Sequence, residues 1–173
     1  MANTYQDAKL DALAGFVSPD TTANLEAMQE AFEQNRHHVY SLSFWMTDNE
    51  LSAEELMAAA FRRAFSVSDT PSADTIDAAL LSELREEMPI GPLTLACAVC
   101  SELKNVRENT LRVHLERAVV QLPATERMIF LLHDVEGYNH VRIAKLIGLT
   151  ENESQNGLHQ ARLRMRELLA AMK

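Results

Sequence analysis

Cys97-Ala-Val-Cys100 is the chain's only CxxC and the first spacing in it that suggests chemistry. On a helix, residues i and i+3 share a face, so both thiols can pack side by side in a core. A zinc site needs two more ligands, and only His114 stands near in sequence. The pair is therefore read as packed thiols, with redox sensing and metal binding as the alternatives. His37 and His38 are adjacent and project from different sides of a helix, which argues against a shared metal. His133-Asp134 has the form of half a catalytic pair, but no nucleophile motif accompanies it. No catalytic residue, metal site, cofactor or small-molecule substrate is expected.

A second stretch carries a different chemistry. Thr150-Glu151-Asn152-Glu153-Ser154-Gln155-Asn156-Gly157 follows a glycine, Gly148, and a short apolar run. Thr150 and Glu153 have the spacing of a capping box, which opens a helix. Gln155 and Asn156, one turn in, carry amides of the kind that pair with adenine edges. Glu151 and Glu153 favour a helix N-terminus yet oppose phosphate.

The elements that must position these residues are helices. Apolar residues make up 47 % of the 173, with only 5 Gly and 5 Pro, and Ala, Leu, Glu, Arg and Met are abundant. An all-α protein follows. Apolar positions at helical spacing predict a long helix over about 22–46, a second opening at a Ser52–Glu55 capping box, and a third from Thr75 to about Met88. Pro89-Ile90-Gly91-Pro92 is the clearest break. Helical pattern resumes at Leu93 and runs, interrupted near 105–110, to Gln121. Pro123 opens the next helix, Gly137 closes it, His140–Ile147 is a short helix closed by Gly148, and the last runs to about Met172. The short helix, the glycine turn and the longer helix make a helix-turn-helix, whose second member enters the DNA major groove. The organisation expected is a flexible lead-in (1–21), a helical domain (22–90), a connecting segment (91–110) and a helix-turn-helix domain (111–173).

Charge divides along the same line. Residues 1–110 hold 7 Lys/Arg and 18 Asp/Glu, net −11, whereas 111–173 hold 9 and 7, net +2. The first part repels nucleic acid at long range, and the second is nearly neutral to it. No apolar run is long enough to span a bilayer, and MANTYQDAKLDALAGF lacks the basic start and apolar core of a secretory leader. A cytoplasmic protein without membrane attachment is expected.

LERAVVQLPATERMIFLLHDVEGYNHVRIAKLIGLT, with GLHQARLRMREL after it, resembles the C-terminal domain of sigma factors, the specificity subunits of RNA polymerase. The resemblance is strongest to the two-domain extracytoplasmic-function type and covers about a third of the chain. It rests on Leu122-Pro123, Phe130-Leu-Leu132, Asp134-Val-Glu-Gly137, Ile143-Ala144, Gly148 and the Leu158-His-x-Ala-Arg162 run. Residues 37–65 resemble, more weakly, the helices by which the family's first domain docks on polymerase. The resemblance implies core RNA polymerase and promoter DNA as partners, and an anti-sigma factor as a further one. It implies transcription initiation without catalysis. Its candidate DNA contacts are Arg142, Lys145, Gln155, Asn156, His159, Arg162 and Arg166; its candidate polymerase contacts are Glu54, Glu55, Arg62 and Arg63.

The sequence departs from the family at telling places. Gln155 and Gly157 stand where the reader helix usually carries Lys and Arg, and Ala58 and Ala59 replace a polar pair in the docking helix. Residues 66–122, where promoter melting belongs, have no Phe, Trp or Tyr and hold five Lys/Arg against nine Asp/Glu. Opened DNA is ordinarily held by aromatic platforms and cations. These departures support a second reading, a sigma-like mimic that binds an anti-sigma factor or another regulator without reading DNA. A third, a dimeric helix-turn-helix regulator, uses only the last domain.

Overall fold

The computed structural model describes residues 19–95 and 112–172, with side chains from Asn24 onward. Cys97, Cys100 and most of the connecting segment lie outside the described residues. Every regular element described is helical, as the composition requires.

Helix α1 (Pro19–Thr47) begins three residues inside the expected lead-in, because proline's fixed φ suits the first helical position. Asp48, at φ +54, turns the chain. Helix α2 (Glu50–Val67) corrects the expected Ser52–Glu55 capping box. Asn49 caps it instead, its side-chain oxygen accepting from the Ser52 amide at 3.0 Å; an Asx cap available earlier in the chain starts the helix earlier. Helix α3 (Ala73–Glu87) is capped by Ser72 and buries Ile76, Leu80, Leu81 and Leu84, together with one acid, Asp77.

The expected helix start at Leu93 is a further correction: residues 91–95 are irregular, whereas the far end of the expected run is helical from Arg112 to Val120 and the residues between lie outside the described ones. Glu126 explains why. Its fully buried carboxylate accepts from the Thr94 amide (2.6 Å), the Thr94 hydroxyl (2.9 Å) and the Leu95 amide (2.7 Å). A buried charge must be satisfied, and here the backbone of this stretch supplies the donors.

Helix α4 (Arg112–Val120) precedes α5 (Ala124–Phe130), which continues into a π turn, Leu131–Val135. Gly137 ends this unit at φ +74. Helices α6 (His140–Ile147) and α7 (Glu151–Ala171) follow. Helix α2 packs on α1 and α3, while α7 packs on α4, α5 and α6. The two groups join where α1 meets α4 and α5 and where α3 meets α6. Their apolar residues form one continuous core, with Val39, Leu42, Met46, Leu80 and Leu84 on one side and Met128, Leu132 and Ile147 on the other. Each such side chain contributes about 1.5–3 kcal/mol. No helix among the described residues is long and apolar enough to cross a membrane.

Candidate nucleic-acid interface

Local chemistry builds the helix-turn-helix. Asn139 accepts from the Arg142 amide at 2.8 Å and opens α6. Gly148, at φ +81, closes it, and the amides of Gly148 and Leu149 both return to the Ala144 carbonyl at 2.8 and 2.9 Å. That backbone conformation favours glycine. Thr150 and Glu153 form the expected capping box: the Thr150 hydroxyl accepts from the Glu153 amide (3.2 Å), and the Glu153 carboxylate accepts from the Thr150 amide (2.7 Å). These Thr150 bonds, backbone first, hold the Glu153 carboxyl below its ordinary range. Glu153 is thus occupied with starting the helix.

Helix α7 turns Ser154, Gly157, Leu158, Gln160, Ala161 and Met165 inward. Gln155, Asn156, His159, Arg162 and Arg166 are exposed on its other side. The expected reader residues therefore share the solvent side of one helix. Gly157 does not. A Cβ there would lie 2.6 Å from Ile129 Cδ1 and 2.8 Å from Leu93 Cδ2. The glycine admits a close approach between α7, α5 and the strand of chain before residue 96; it is a packing position, not a vacant cation position.

The exposed polar groups are in part already engaged. Gln155 Nε2 donates to Glu151 Oε1 at 3.3 Å. The Arg162 guanidinium grips Asp134 with two bonds, 3.0 and 2.6 Å. His133 Nδ1 meets the same carboxylate at 2.8 Å. Although burial raises Asp134, the bonds from Arg162 and His133 outweigh it and hold its carboxyl low. His133 also stacks on His140, centroids 4.7 Å apart, and His140 Nδ1 lies 3.0 Å from Ser154 Oγ. Ser154 is fully buried, so this constellation offers no accessible nucleophile. Burial, and then His133 beside it, lower the His140 pKa. Arg164, which points away from this face, pairs with Glu167 at 2.9 Å. Among the described residues, no group of three or more His, Cys, Asp or Glu side chains is placed to hold a metal ion.

Arg142 has the least expected surroundings. It does not face solvent alone but reaches α3, with Nη2 2.7 Å from Asp74 Oδ1 and 3.0 Å from Asp77 Oδ2. Its guanidinium lies 3.6 Å from the centre of the Tyr138 ring, within cation–π range. Asp77, only 3 % exposed, also accepts from Tyr138 Oη (2.8 Å) and meets His38 Nε2 at 2.8 Å. The other His38 nitrogen contacts Glu136 Oε2 at 2.8 Å. Burial and the Asp77 bond push the Tyr138 hydroxyl well above its ordinary range. Lys145, one turn beyond Arg142, is exposed and lines a groove with Asp74, Thr75, Ala78, Arg142 and Leu146.

Two further arginines tie the groups together. Arg127 of α5 donates to the carbonyls of Met46 (2.8 Å) and Leu122 (2.8 Å), and also to that of Val120. Arg85 of α3 donates to the Ile147 carbonyl at 2.5 Å. Each guanidinium meets a helix C-terminal end, where carbonyls lack intrahelical partners and the dipole favours a cation. Burial lowers the Arg127 pKa without threatening its charge.

On α2, Glu54, Glu55 and Arg62 are exposed. Arg63 is exposed as well, but it bonds Glu83 and, at 3.0 Å, Glu86 of α3. The expected surfaces were legible as helix faces; the ion pairs across 20 to 65 residues, such as Arg63–Glu83 and Arg142–Asp77, had no sequence signal.

Comparison with known proteins agrees with this geometry. Residues 112–165 match the sigma-70 region 4 family. The fold is similar to that of the sigma factor RpoE from Bartonella quintana, solved in complex with the anti-sigma factor NepR. That similarity has a TM-score of 0.62 at 15 % identity and covers 84 % of this chain and 98 % of the other. No curated protein matches the chain in sequence.

Proposed function

We propose that this chain, whose residues 112–165 match the sigma-70 region 4 family and whose fold is similar to that of a sigma factor, acts as an extracytoplasmic-function-type sigma factor. It binds core RNA polymerase through α2 and directs it to promoters through α7. The single observation that carries this is the reader helix: Gln155, Asn156, His159 and Arg162, within the family match, and Arg166, one residue beyond it, all stand on the solvent side of the second helix of the helix-turn-helix. Arg142 and Lys145 on α6 are the phosphate contacts in this reading, since the first helix of such a unit crosses the DNA backbone. Glu54, Glu55, Arg62 and Arg63 serve polymerase. We take 22–90 and 111–173 as the functional units. The anti-sigma complex of the Bartonella protein makes a regulator of that kind a reasonable third partner.

A second reading draws on a specific observation. Three of the cations assigned to contacts, Arg63, Arg142 and Arg162, are already paired with carboxylates of this chain. A sigma-like mimic that occupies an anti-sigma factor needs no free cations for DNA. A pull-down of the tagged chain from its own cells, analysed by mass spectrometry, separates the two. Retention of the polymerase β and β′ subunits supports the sigma factor; a small regulator without polymerase sinks it and favours the mimic.

A further inference from the structure

The end of α1 and the face of α4 opposite it enclose a groove of about 270 Å³, lined by neither helix of the helix-turn-helix. Its α1 wall is aromatic. Phe44 and Trp45 line it, both half-buried, with ring centroids 5.9 Å apart in an edge-to-face arrangement. Tyr40, one turn back, stacks behind Phe44 at 6.4 Å. Trp45 packs in part against the core and in part borders the groove. Arg127 fixes the backbone of this wall by donating to the Met46 carbonyl at 2.8 Å. Asp48 closes the lip, at the turn where φ is +54.

The α4 wall is charged. Arg112, Glu116 and Arg117 line it, with Val113 and Val120 as its apolar floor; these positions fall on one face of a helix. Arg112 is engaged by Glu116 at 2.7 Å. Arg117 is exposed, and no ion pair among the described residues includes it. The groove thus sets an aromatic surface opposite an available guanidinium. A planar ring stacks on the first, and a phosphate accepts from the second. An alkyl ligand would make no use of Arg117, and an inorganic anion none of Trp45. Arg112 and Arg117 are balanced by Asp48 and Glu116, so the groove has no long-range pull on polyanions and favours a ligand that satisfies both walls. The Asp48 carboxylate only accepts, which suits the amino edge of a base and turns phosphate toward α4. The volume falls just below the roughly 300–1,000 Å³ of small-molecule pockets, which suits a single nucleotide unit rather than a dinucleotide.

We propose that this groove binds one nucleotide unit, with its base against Trp45 and its phosphate on Arg117. A free nucleoside monophosphate and an unpaired residue of a single-stranded nucleic acid share this chemistry; a duplex keeps its bases stacked inside. The site goes beyond the sigma-factor reading and does not rest on it.

Trp45 is the only tryptophan of the chain, so intrinsic fluorescence reports on this wall alone. The test titrates the full chain with adenosine and guanosine monophosphates, a single-stranded oligonucleotide, a mixed-sequence DNA duplex and inorganic phosphate, with free tryptophan amide correcting for ligand absorbance. Saturable quenching is expected from the monophosphates or the oligonucleotide, and none from phosphate or the duplex. Tighter binding by the monophosphates assigns the site to a free nucleotide; tighter binding by the oligonucleotide assigns it to a single strand. Arg117→Gln, at an exposed position, should weaken binding about tenfold, the loss of one bond from a charged donor. Trp45→Leu, followed by equilibrium dialysis of the labelled ligand, should weaken it by about tenfold as well, the loss of one stacked base. Arg164→Gln, on α7 and remote from the groove, should leave it unchanged. Circular dichroism verifies that each variant is folded. Absence of saturable quenching by both nucleotide and oligonucleotide overturns the proposal. So does equal quenching by phosphate or the duplex, or full affinity in Arg117→Gln.

Discussion

Replacement of Arg127 by Met should loosen the junction between the two helical groups. Arg127 carries three short bonds from one guanidinium: to Met46 in the last turn of α1, to Leu122, and to Val120 at the end of α4. Methionine keeps much of the apolar stem and removes every donor. A hydrogen bond from a charged group is worth about 1.5–3 kcal/mol. The three are not additive, since they share one group and the freed carbonyls regain water in part, so the expected loss is about 3 kcal/mol. At roughly 2–4 °C per kcal/mol for a chain of this size, the melting temperature should fall by about 6–12 °C. Urea unfolding followed by circular dichroism measures the loss directly. If the group junction gives way before the helices, the single transition of wild type should split or its slope should fall. A loss below about 1 kcal/mol with an unchanged transition would refute the assignment of Arg127 as the tie between α1, α4 and α5.

Glu126→Gln should cost about 1 kcal/mol in the same assay: its carbonyl oxygen can keep the Thr94 and Leu95 amides, which share Oε1, but its nitrogen cannot accept from the Thr94 hydroxyl that now bonds Oε2. Gly157→Arg, which restores the family's usual cation, should destabilise by more than about 1 kcal/mol through overpacking against Ile129 and Leu93; a stable variant with improved duplex binding would show that the position faces DNA after all. Glu151→Gln should raise duplex affinity at low salt by removing a repulsive charge from the first turn of α7, while lowering helix stability by only about 0.5 kcal/mol. Unchanged affinity would place Glu151 away from the bound backbone.

The C-terminal unit could be read almost residue by residue, because its signals are local. Asn139, Gly148, Thr150 and Glu153 act on amides and carbonyls within four or five positions of themselves, and any chain with those residues at that spacing tends to the same turn. The α2 start was misplaced for a reason of the same scale: two capping patterns, at Asn49 and Ser52, lay three residues apart, and local pattern does not rank them. The stretch from Leu93 was misread for a different reason. Its apolar residues suit a helix, but Glu126, more than thirty positions away, claims its amides.

The sequence alone determined an all-helical chain, the helix-turn-helix and the solvent side of its second helix. Periodicity and capping energies depend on near neighbours, which the order of residues makes visible. Only the tertiary structure decided what those surfaces meet. Whether Arg142 faces solvent or Asp77, whether Gly157 is an absent cation or a close contact, and which acids His38 meets all depend on groups brought together from tens of residues apart. Such contacts arise when two apolar helix groups close on one core, and no local spacing encodes which acid then finds which base.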